Sequence, residues 1–200
     1  MKWWLRRRQP WSDATYWSID LETSGLDVRR DRMLSVGMVP VRDGIIRWGE
    51  RLYTLVRGAD EASSAGALGV HQILPRDSSA SPDEAEVVRQ VAQRLDGRVL
   101  LAHHATIELR FLKSAARRHR CRWPAPLVVD TVHLLSLLEQ RMERLQPYPP
   151  SLPRALGEAR AHLGLPKHRA HHALADALAT AELFLVLRAR LDARFVGQLL

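Results

Sequence analysis

Residues 16–26 read Tyr-Trp-Ser-Ile-Asp-Leu-Glu-Thr-Ser-Gly-Leu, an apolar run that ends in two carboxylates and a glycine turn. Side chains two residues apart on a β-strand point to the same face of the sheet. We therefore expect Asp20 and Glu22 to present their oxygens to one point at the end of a strand. Carboxylate oxygens in this arrangement suit a hard divalent cation such as Mg²⁺. The stretch predicts the first strand of a sheet and part of a metal site.

The composition predicts one globular domain. The chain has 200 residues, of which 46% are hydrophobic and 26% charged, and this is enough for a sizeable core. The single cysteine, Cys121, excludes an internal disulfide and favours a reducing compartment. No apolar run approaches the roughly 20 residues of a membrane span, and the N-terminus does not resemble a signal peptide. We expect a cytoplasmic protein with no membrane partner.

The charge balance favours a polyanionic partner. Thirty Lys and Arg residues against 22 Asp and Glu residues give a formal net charge of +8. Such a surface attracts nucleic acid before other polyanions. Basic clusters lie at Arg6–Arg8 and Arg117–Arg120, but each is also consistent with a solvated face or a helix end. The charge alone therefore leaves nucleic-acid binding open.

Apolar runs and turn residues together predict an α/β fold. Strands are expected at about 14–21, 33–41, 45–56, 99–102 and 127–129, with a hairpin turn at Asp43-Gly44. A helix is expected to start within Ser81–Glu84, with Pro82 at its first position, and to run to about Leu95. Others are expected at 104–118, 151–163 and 172–190, with a further one after a cap at Asp130 or Thr131. Residues 57–82 and 146–150 resemble loops. A meander followed by alternating strands and helices predicts a mixed five-stranded sheet flanked by helices.

The domain organisation is predicted to be simple. Residues 1–12 are interpreted as a basic, Trp-rich arm, and residues 13–200 as one domain. Three tryptophans of the arm lie near its arginines and would stack on bases or bind a partner: Trp3, Trp4 and Trp11. The alternative is an arm that packs on the domain or stays disordered.

Acidic and imidazole side chains from later segments complete the predicted chemistry. His171 and Asp176 would lie about 140° apart within one helix, so they converge only if His171 precedes that helix. Glu108 follows the predicted strand at 99–102 and would face the strand end that carries Asp20. Two cations about 3.5–4 Å apart activate water, and a histidine accepts its proton near neutral pH. The set favours metal-dependent phosphodiester hydrolysis.

Three motifs in this order resemble the DEDDh family of 3′–5′ exonucleases, which includes the proofreading epsilon subunit of bacterial DNA polymerase III. Residues Asp20–Leu26 match Asp-x-Glu-Thr-(Thr/Ser)-Gly-Leu in full. Residues His103–Leu112 are similar to His-Asn-Ala-x-Phe-Asp-x-x-Phe-Leu, and His171–Asp176 match His-x-x-x-x-Asp. The similarity covers about residues 14–190, and Val70–Ile73 resembles a family loop of His-Gly-Ile type.

The resemblance implies a ribonuclease-H-like fold and a mechanism with two divalent cations, Mg²⁺ or Mn²⁺. It implies His171 as general base and the following metal ligands: Asp20, Glu22, Glu108 and Asp176. It also implies a pocket for the terminal nucleotide, lined by Thr23, Ser24, Leu26 and His71. His104 is interpreted either as structural or as a substrate contact at the cleft edge.

The second motif departs from the family pattern, and two hypotheses follow. Glu108, His104 and Ile107 stand where the family has Asp, Asn and Phe. Glu reaches about 1.5 Å further than Asp, and a misplacement of about 1 Å costs roughly 10²-fold in rate. The first hypothesis is an exonuclease that releases nucleoside 5′-monophosphates from 3′ ends of single-stranded nucleic acid, with DNA favoured over RNA. The second is a weakened module that binds nucleic acid or a polymerase partner without cleavage.

Several assignments stay open at this point. His172 lies at the i, i+4 spacing from Asp176 and His168 is close, whereas the family pattern selects His171 as the base. Asp130 is interpreted as a helix cap rather than a ligand. The biological role is either proofreading or repair of DNA, or trimming of RNA ends. Some family members dimerise, so the expected protein partner is a DNA polymerase or a second copy. No polymerase-tethering tail is recognisable after about residue 190, which weakly disfavours a replicative subunit.

Overall fold

The computed structural model describes residues 6–58, 80–146 and 151–200. One mixed sheet has the strand order β3-β2-β1-β5-β6, with β4 also pairing with β2. β1 pairs antiparallel with β2 and parallel with β5, and β5 pairs parallel with β6. The strands span Tyr16–Thr23 (β1), Met33–Arg42 (β2), Ile45–Ile46 (β3), Leu52–Leu55 (β4), Val99–Ala102 (β5) and Leu127–Asp130 (β6). The predicted α/β fold with a mixed sheet is confirmed.

The predicted third strand, 45–56, is interrupted and becomes β3 and β4. A 3₁₀ turn at Trp48–Glu50 separates the two, and both pair with the outer edge of β2. The interruption lies opposite Pro40, whose carbonyl accepts the Arg47 N–H at 2.9 Å. Proline has no N–H to return to a neighbouring strand, so the ladder cannot continue through this position. The predicted hairpin turn is confirmed, since Asp43 and Gly44 both have positive φ.

Five helices of the described residues flank the sheet. They span Glu84–Leu95 (α1), Thr106–Arg118 (α2), Thr131–Leu145 (α3), Leu156–His162 (α4) and Ala173–Leu191 (α5). The carboxylate of Asp83 accepts the Glu86 N–H at the start of α1, and Asp130 accepts the Val132 N–H at the start of α3. α4 begins five residues later than predicted. Pro153 disfavours helical backbone at Leu152, which accounts for the first part of this delay.

The two faces of the sheet carry separate cores. Trp17 and Ile19 of β1 pack with the buried faces of α1 and α2. Tyr16, which points to the other face, packs with α3, α4 and α5. Strand alternation therefore places Ser18, Asp20 and Glu22 on the same face as Tyr16, under α5.

A close contact between α5 and β2 sets the height of the helix above the sheet. A Cβ atom at Gly37 would lie 2.2 Å from the backbone carbon of Ala173, so only glycine leaves room there. Ser18 Oγ donates to the Ala177 carbonyl at 2.7 Å and ties the same helix to β1. The first turn of α5 consequently lies against the ends of β1 and β2.

The N-terminal segment contacts the end of the chain. The Arg188 guanidinium lies 4.0 Å above the Trp11 ring, and the backbone N–H of Trp11 donates to the Arg194 carbonyl.

Some residues named in the sequence predictions lie outside the described residues: Trp3, Trp4, His71 and the Pro-rich residues 147–150. In the part of the chain that the structure describes, no helix has the length and apolar character needed to cross a bilayer.

Candidate active site

Three carboxylates meet where β1 ends. One oxygen each from Asp20, Glu22 and Asp176 lies within 4.8 Å of the other two. Asp20 and Glu22 are on one face of β1, and Asp176 is in the first turn of α5. The first and third sequence motifs, more than 140 residues apart, therefore converge on one point.

Burial and mutual repulsion make the carboxyl groups of Asp20 and Glu22 hard to ionise. Burial raises the pKa of Asp20 well above its ordinary value, and the charges of Glu108, Asp176 and Glu22 raise it further. Burial, followed by the charge of Asp176, raises the pKa of Glu22 to about 7. Both shifts have the direction expected for like charges crowded in a low-dielectric site. A cation at this point would relieve both effects.

Glu108 lies beside this group. It is in the first turn of α2 and only 5% exposed. Its Oε2 atom is buried and forms no hydrogen bond within the described structure. Burial raises its pKa to about 8; a hydrogen bond from its own backbone opposes this shift and the charge of Asp130 adds to it. A buried carboxylate oxygen without a partner is costly, so Glu108 is poised to accept a proton or a cation.

The donor set fits a divalent metal ion. It consists of carboxylate oxygens alone, which are the ligands of hard cations such as Mg²⁺ and Mn²⁺. The three converging carboxylates, Asp20, Glu22 and Asp176, are able to hold such an ion. The unpartnered Oε2 of Glu108 is an independent sign that the site is incomplete without positive charge.

The raised pKa values predict an unusual pH dependence of stability. The pKa of Glu22 rises from 4.5 to about 7, and that of Glu108 rises from 4.5 to about 8. Between the unfolded and the folded pKa of each group, the folded state therefore binds more protons than the unfolded chain. The free energy of unfolding of the metal-free protein should therefore fall as pH rises through this window. Cations bind the ionised carboxylates, so stabilisation by Mn²⁺ should grow over the same range.

This dependence is measurable as the melting temperature in EDTA and in Mn²⁺ between about pH 5 and pH 8.5. The variant Glu22→Gln/Glu108→Gln should make the decline seen in EDTA shallower, because two of the three shifted groups are removed and Asp20 remains. A melting temperature in EDTA that stays constant or rises through this range in the wild-type protein would contradict the pKa shifts.

The three neighbouring histidines, His168, His171 and His172, have different surroundings in the structure. His171 precedes α5, as convergence with Asp176 requires; it is exposed and has a φ of 61°. No hydrogen bond or ion pair of its side chain occurs in the described part of the chain. His168 Nε2 lies 2.8 Å from Asp176 Oδ1. His172 caps α5 and stacks on Tyr53, with ring centroids 4.7 Å apart.

The described residues assigned to the nucleotide pocket lie at the end of β1, in the turn after it and in the turn before α2. The Thr23 hydroxyl donates to the Gly25 carbonyl, and the Ser24 hydroxyl bonds to Asp31, so both hold the turn after β1. Leu26 follows this turn and is 70% exposed. His104 is exposed, with a φ of 63°, and its backbone N–H donates to Asp130. Their predicted contacts with substrate stay predictions, and that of His71 lies outside the described residues.

Asp130 is a cap, as expected from the sequence. Its carboxylate accepts the backbone N–H groups of His104, Ala105 and Val132. It therefore joins the turn before α2 to the start of α3. His103 supports the same region, with its ring nitrogens 2.7 Å from the Thr131 hydroxyl and from the Arg154 carbonyl.

Two further residues support the site without a sequence motif. Tyr53 pairs with Gly37, which pairs with Asp20, so the three form one row across the sheet beneath α5. Arg160 is 2% exposed and donates to the carbonyls of Ala179 and Pro166, which fixes the loop leading to His168. A glycine inside a strand pattern, here Gly37, is a sequence signal for the close approach of another segment at this row. Nothing in the sequence pattern indicates the role of Arg160.

The match to a family model agrees with this geometry. The model of the RNase_T family, described as exonuclease, matches residues 18–184, and the chain belongs to this family. The predicted exonuclease family is thereby confirmed.

The curated proteins similar to this chain include several named DNA polymerase III. It is 30% identical over 177 residues to the PolC-type DNA polymerase III of Thermotoga petrophila. It is 28% identical over 172 residues to the DNA polymerase III epsilon subunit of Treponema pallidum. The match covers 86% of this chain in both cases, but 12% of the PolC-type protein and 75% of the epsilon subunit. The chain thus spans about an eighth of the length of the first of these relatives.

Solved structures confirm the ribonuclease-H-like fold. The zinc-bound form of the E. coli Exonuclease I complex with single-stranded DNA superimposes with a TM-score of 0.72 at 19% identity. The superposition covers 90% of this chain and 42% of Exonuclease I. At this identity the likeness establishes the fold.

Proposed function

We propose that this chain is a DEDDh-type 3′–5′ exonuclease. It hydrolyses the phosphodiester bond at the 3′ end of single-stranded nucleic acid, with DNA favoured over RNA, and releases nucleoside 5′-monophosphates. The observation that carries the proposal is the convergence of Asp20, Glu22 and Asp176 within 4.8 Å. The zinc ion and single-stranded DNA named for the Exonuclease I complex support a metal site and this substrate class.

Each site residue has a role in this proposal. Asp20, Glu22 and Asp176 hold two divalent cations, Mg²⁺ or Mn²⁺, with Glu108 as the fourth acidic group beside Asp20. Bound cations of this kind supply an activated water and stabilise charge on the leaving oxygen. His171 accepts the proton of the attacking water; its exposed position before α5 leaves the imidazole accessible to that water. Thr23, Ser24, Leu26 and His104 border the terminal nucleotide.

The partners follow from the same site and from the relatives. The substrate partner is an unpaired 3′ end. A DNA polymerase is the proposed protein partner, because PolC-type polymerases and epsilon subunits are among the similar proteins. A second copy of this chain is the alternative.

The first test is cleavage of 5′-labelled single-stranded DNA and RNA of one sequence, with Mg²⁺ and with Mn²⁺. The proposal expects a ladder that shortens from the 3′ end, faster for DNA, and no ladder for Asp20→Ala. Intact strands under every condition would contradict it. Tight binding without cleavage would instead support the non-cleaving module, which the position of Glu108 outside the three-carboxylate group favours.

Substitutions of His171 and His168 are expected to change different kinetic parameters. His171→Ala should lower turnover at saturating Mn²⁺ by about 10²–10⁴-fold, because general-base catalysis is lost. His168→Ala should mainly raise the Mn²⁺ concentration for half-maximal rate, by about 10–100-fold, because His168 orients the Asp176 carboxylate.

Metal titrations of the initial rate separate these two effects, with His172→Ala as the neighbouring control. We expect that control to lower turnover less than His171→Ala does. If His168→Ala or His172→Ala lost turnover at saturating metal while His171→Ala retained it, the base would have to be reassigned to that histidine.

A further inference from the structure

The outer face of α2 carries a straight row of cations. Arg110, Lys113 and Arg117 are all exposed and follow one another at intervals of three and four residues. On a helix of 3.6 residues per turn they lie within about 60° of one another. The buried face of the helix, which carries Glu108 and Phe111, points the opposite way. We call these three side chains the α2 basic row.

The charges of this row are not neutralised by neighbours. The side chains of Arg110, Lys113 and Arg117 form no ion pair or hydrogen bond within the part of the chain that the structure describes. Glu84, the nearby acid, is already bonded to Arg118 and His119, at 2.6 and 2.7 Å. Residues 106–122 contain six Lys and Arg residues and one acid, the buried Glu108. The face therefore presents positive charge alone.

The helix that carries the row begins beside the candidate active site. Glu108, in the first turn of α2, contributes to the electrostatic environment of Asp20. From Glu108 to Arg117 the helix advances about 14 Å at 1.5 Å per residue. Beyond the helix, Arg120 and Arg122 are also exposed. The positive charge therefore runs along the outer face of a helix whose first turn lies beside Asp20.

We propose that the α2 basic row binds the phosphodiester backbone of the single strand whose 3′ end lies among the carboxylates. This inference rests on the proposed function and assigns the path of the strand upstream of the terminal nucleotide. Closely spaced cations along one line are complementary to a chain of phosphates, and such contacts are independent of base sequence. The same surface then serves every strand that the site accepts.

The chain offers a matched control on the other side of the sheet. Arg144 of α3 and Arg190 of α5 are exposed, and their side chains likewise have no ion pair in the described residues. They lie in the last turns of these helices, and Arg190 is 14 residues, or about 21 Å, along α5 from Asp176. The variants Lys113→Glu/Arg117→Glu and Arg144→Glu/Arg190→Glu change the net charge equally, so they separate a local contact from general attraction.

The test is binding of a fluorescent single strand of about 20 nucleotides to the full chain carrying Asp20→Asn, measured by anisotropy over a range of salt concentrations. Each phosphate neutralised contributes about 0.7 to the slope of log K against log salt for single strands. Lys113→Glu/Arg117→Glu should reduce the slope by at least about 1.4, whereas the control pair should leave it unchanged. Lys113→Gln/Arg117→Gln should give a loss of the same kind.

Equal effects of the two charge-reversal pairs, or none from Lys113→Glu/Arg117→Glu, would overturn the proposal. A second arm uses chains with Asp20 intact. Lys113→Glu/Arg117→Glu should cleave a dinucleotide at the wild-type rate but show a raised KM for the long strand. If the wild-type chain cleaves neither substrate, the proposed function fails, while the salt slopes still decide whether the row binds the strand.

Discussion

Asp20→Asn is expected to lower turnover by at least about 10³-fold, since removal of one electrostatic stabiliser already costs about 10²–10³-fold and this group also holds a cation. The substitution keeps the shape of the side chain and removes its charge. Because burial and three neighbouring carboxylates oppose ionisation of Asp20, the variant should melt at a higher temperature than the wild type in EDTA. Loss of activity and gain of metal-free stability should appear together.

The pair of measurements is single-turnover cleavage at saturating Mn²⁺ and thermal unfolding in EDTA. Asp13→Asn, an exposed residue outside the carboxylate group, is the matched control and should change neither. Asp176→Ala should abolish turnover in the same way, with the fold retained. Full activity in Asp20→Asn or Asp176→Ala would remove these residues from the catalytic site.

Gly37→Ala is expected to damage both stability and activity, although glycine has no side chain that could take part in catalysis. The added Cβ would lie 2.2–2.4 Å from backbone atoms of Ala173 and Leu174, whereas carbon atoms pack best at about 3.5–4.0 Å. The first turn of α5 must therefore move by more than about 1 Å, and it carries Asp176 with it. Overpacking of this kind costs about 1–3 kcal/mol, and a misplacement of about 1 Å costs roughly 10²-fold in rate.

The control for this prediction is Gly49→Ala. A Cβ at Gly49 meets nothing within 4 Å, so stability and turnover should stay close to those of the wild type. The melting temperature and the turnover number of the two variants are compared side by side. If Gly37→Ala proved as stable and active as Gly49→Ala, the contact between α5 and β2 would not determine the position of Asp176.

The sequence predicts those parts of the fold that depend on local chemistry. Alternation along residues 16–23 places Asp20 and Glu22 on one face, and Asp130 caps the helix that follows it. The prediction was less accurate where a distant or preceding residue intervenes. Pro40 interrupts the strand predicted at 45–56. Pro153 keeps Leu152 out of the predicted helix, and α4 begins only at Leu156.

The sequence by itself determined which acids and imidazoles are available, because motif order and spacing are properties of the chain. Only the tertiary structure decided which of them meet. Asp176 reaches Asp20 because a glycine at position 37 lets α5 rest on β2, and His168 reaches Asp176 through a loop fixed by the buried Arg160. Contacts between segments this far apart depend on packing distances of a few tenths of an ångström, and no local pattern encodes those.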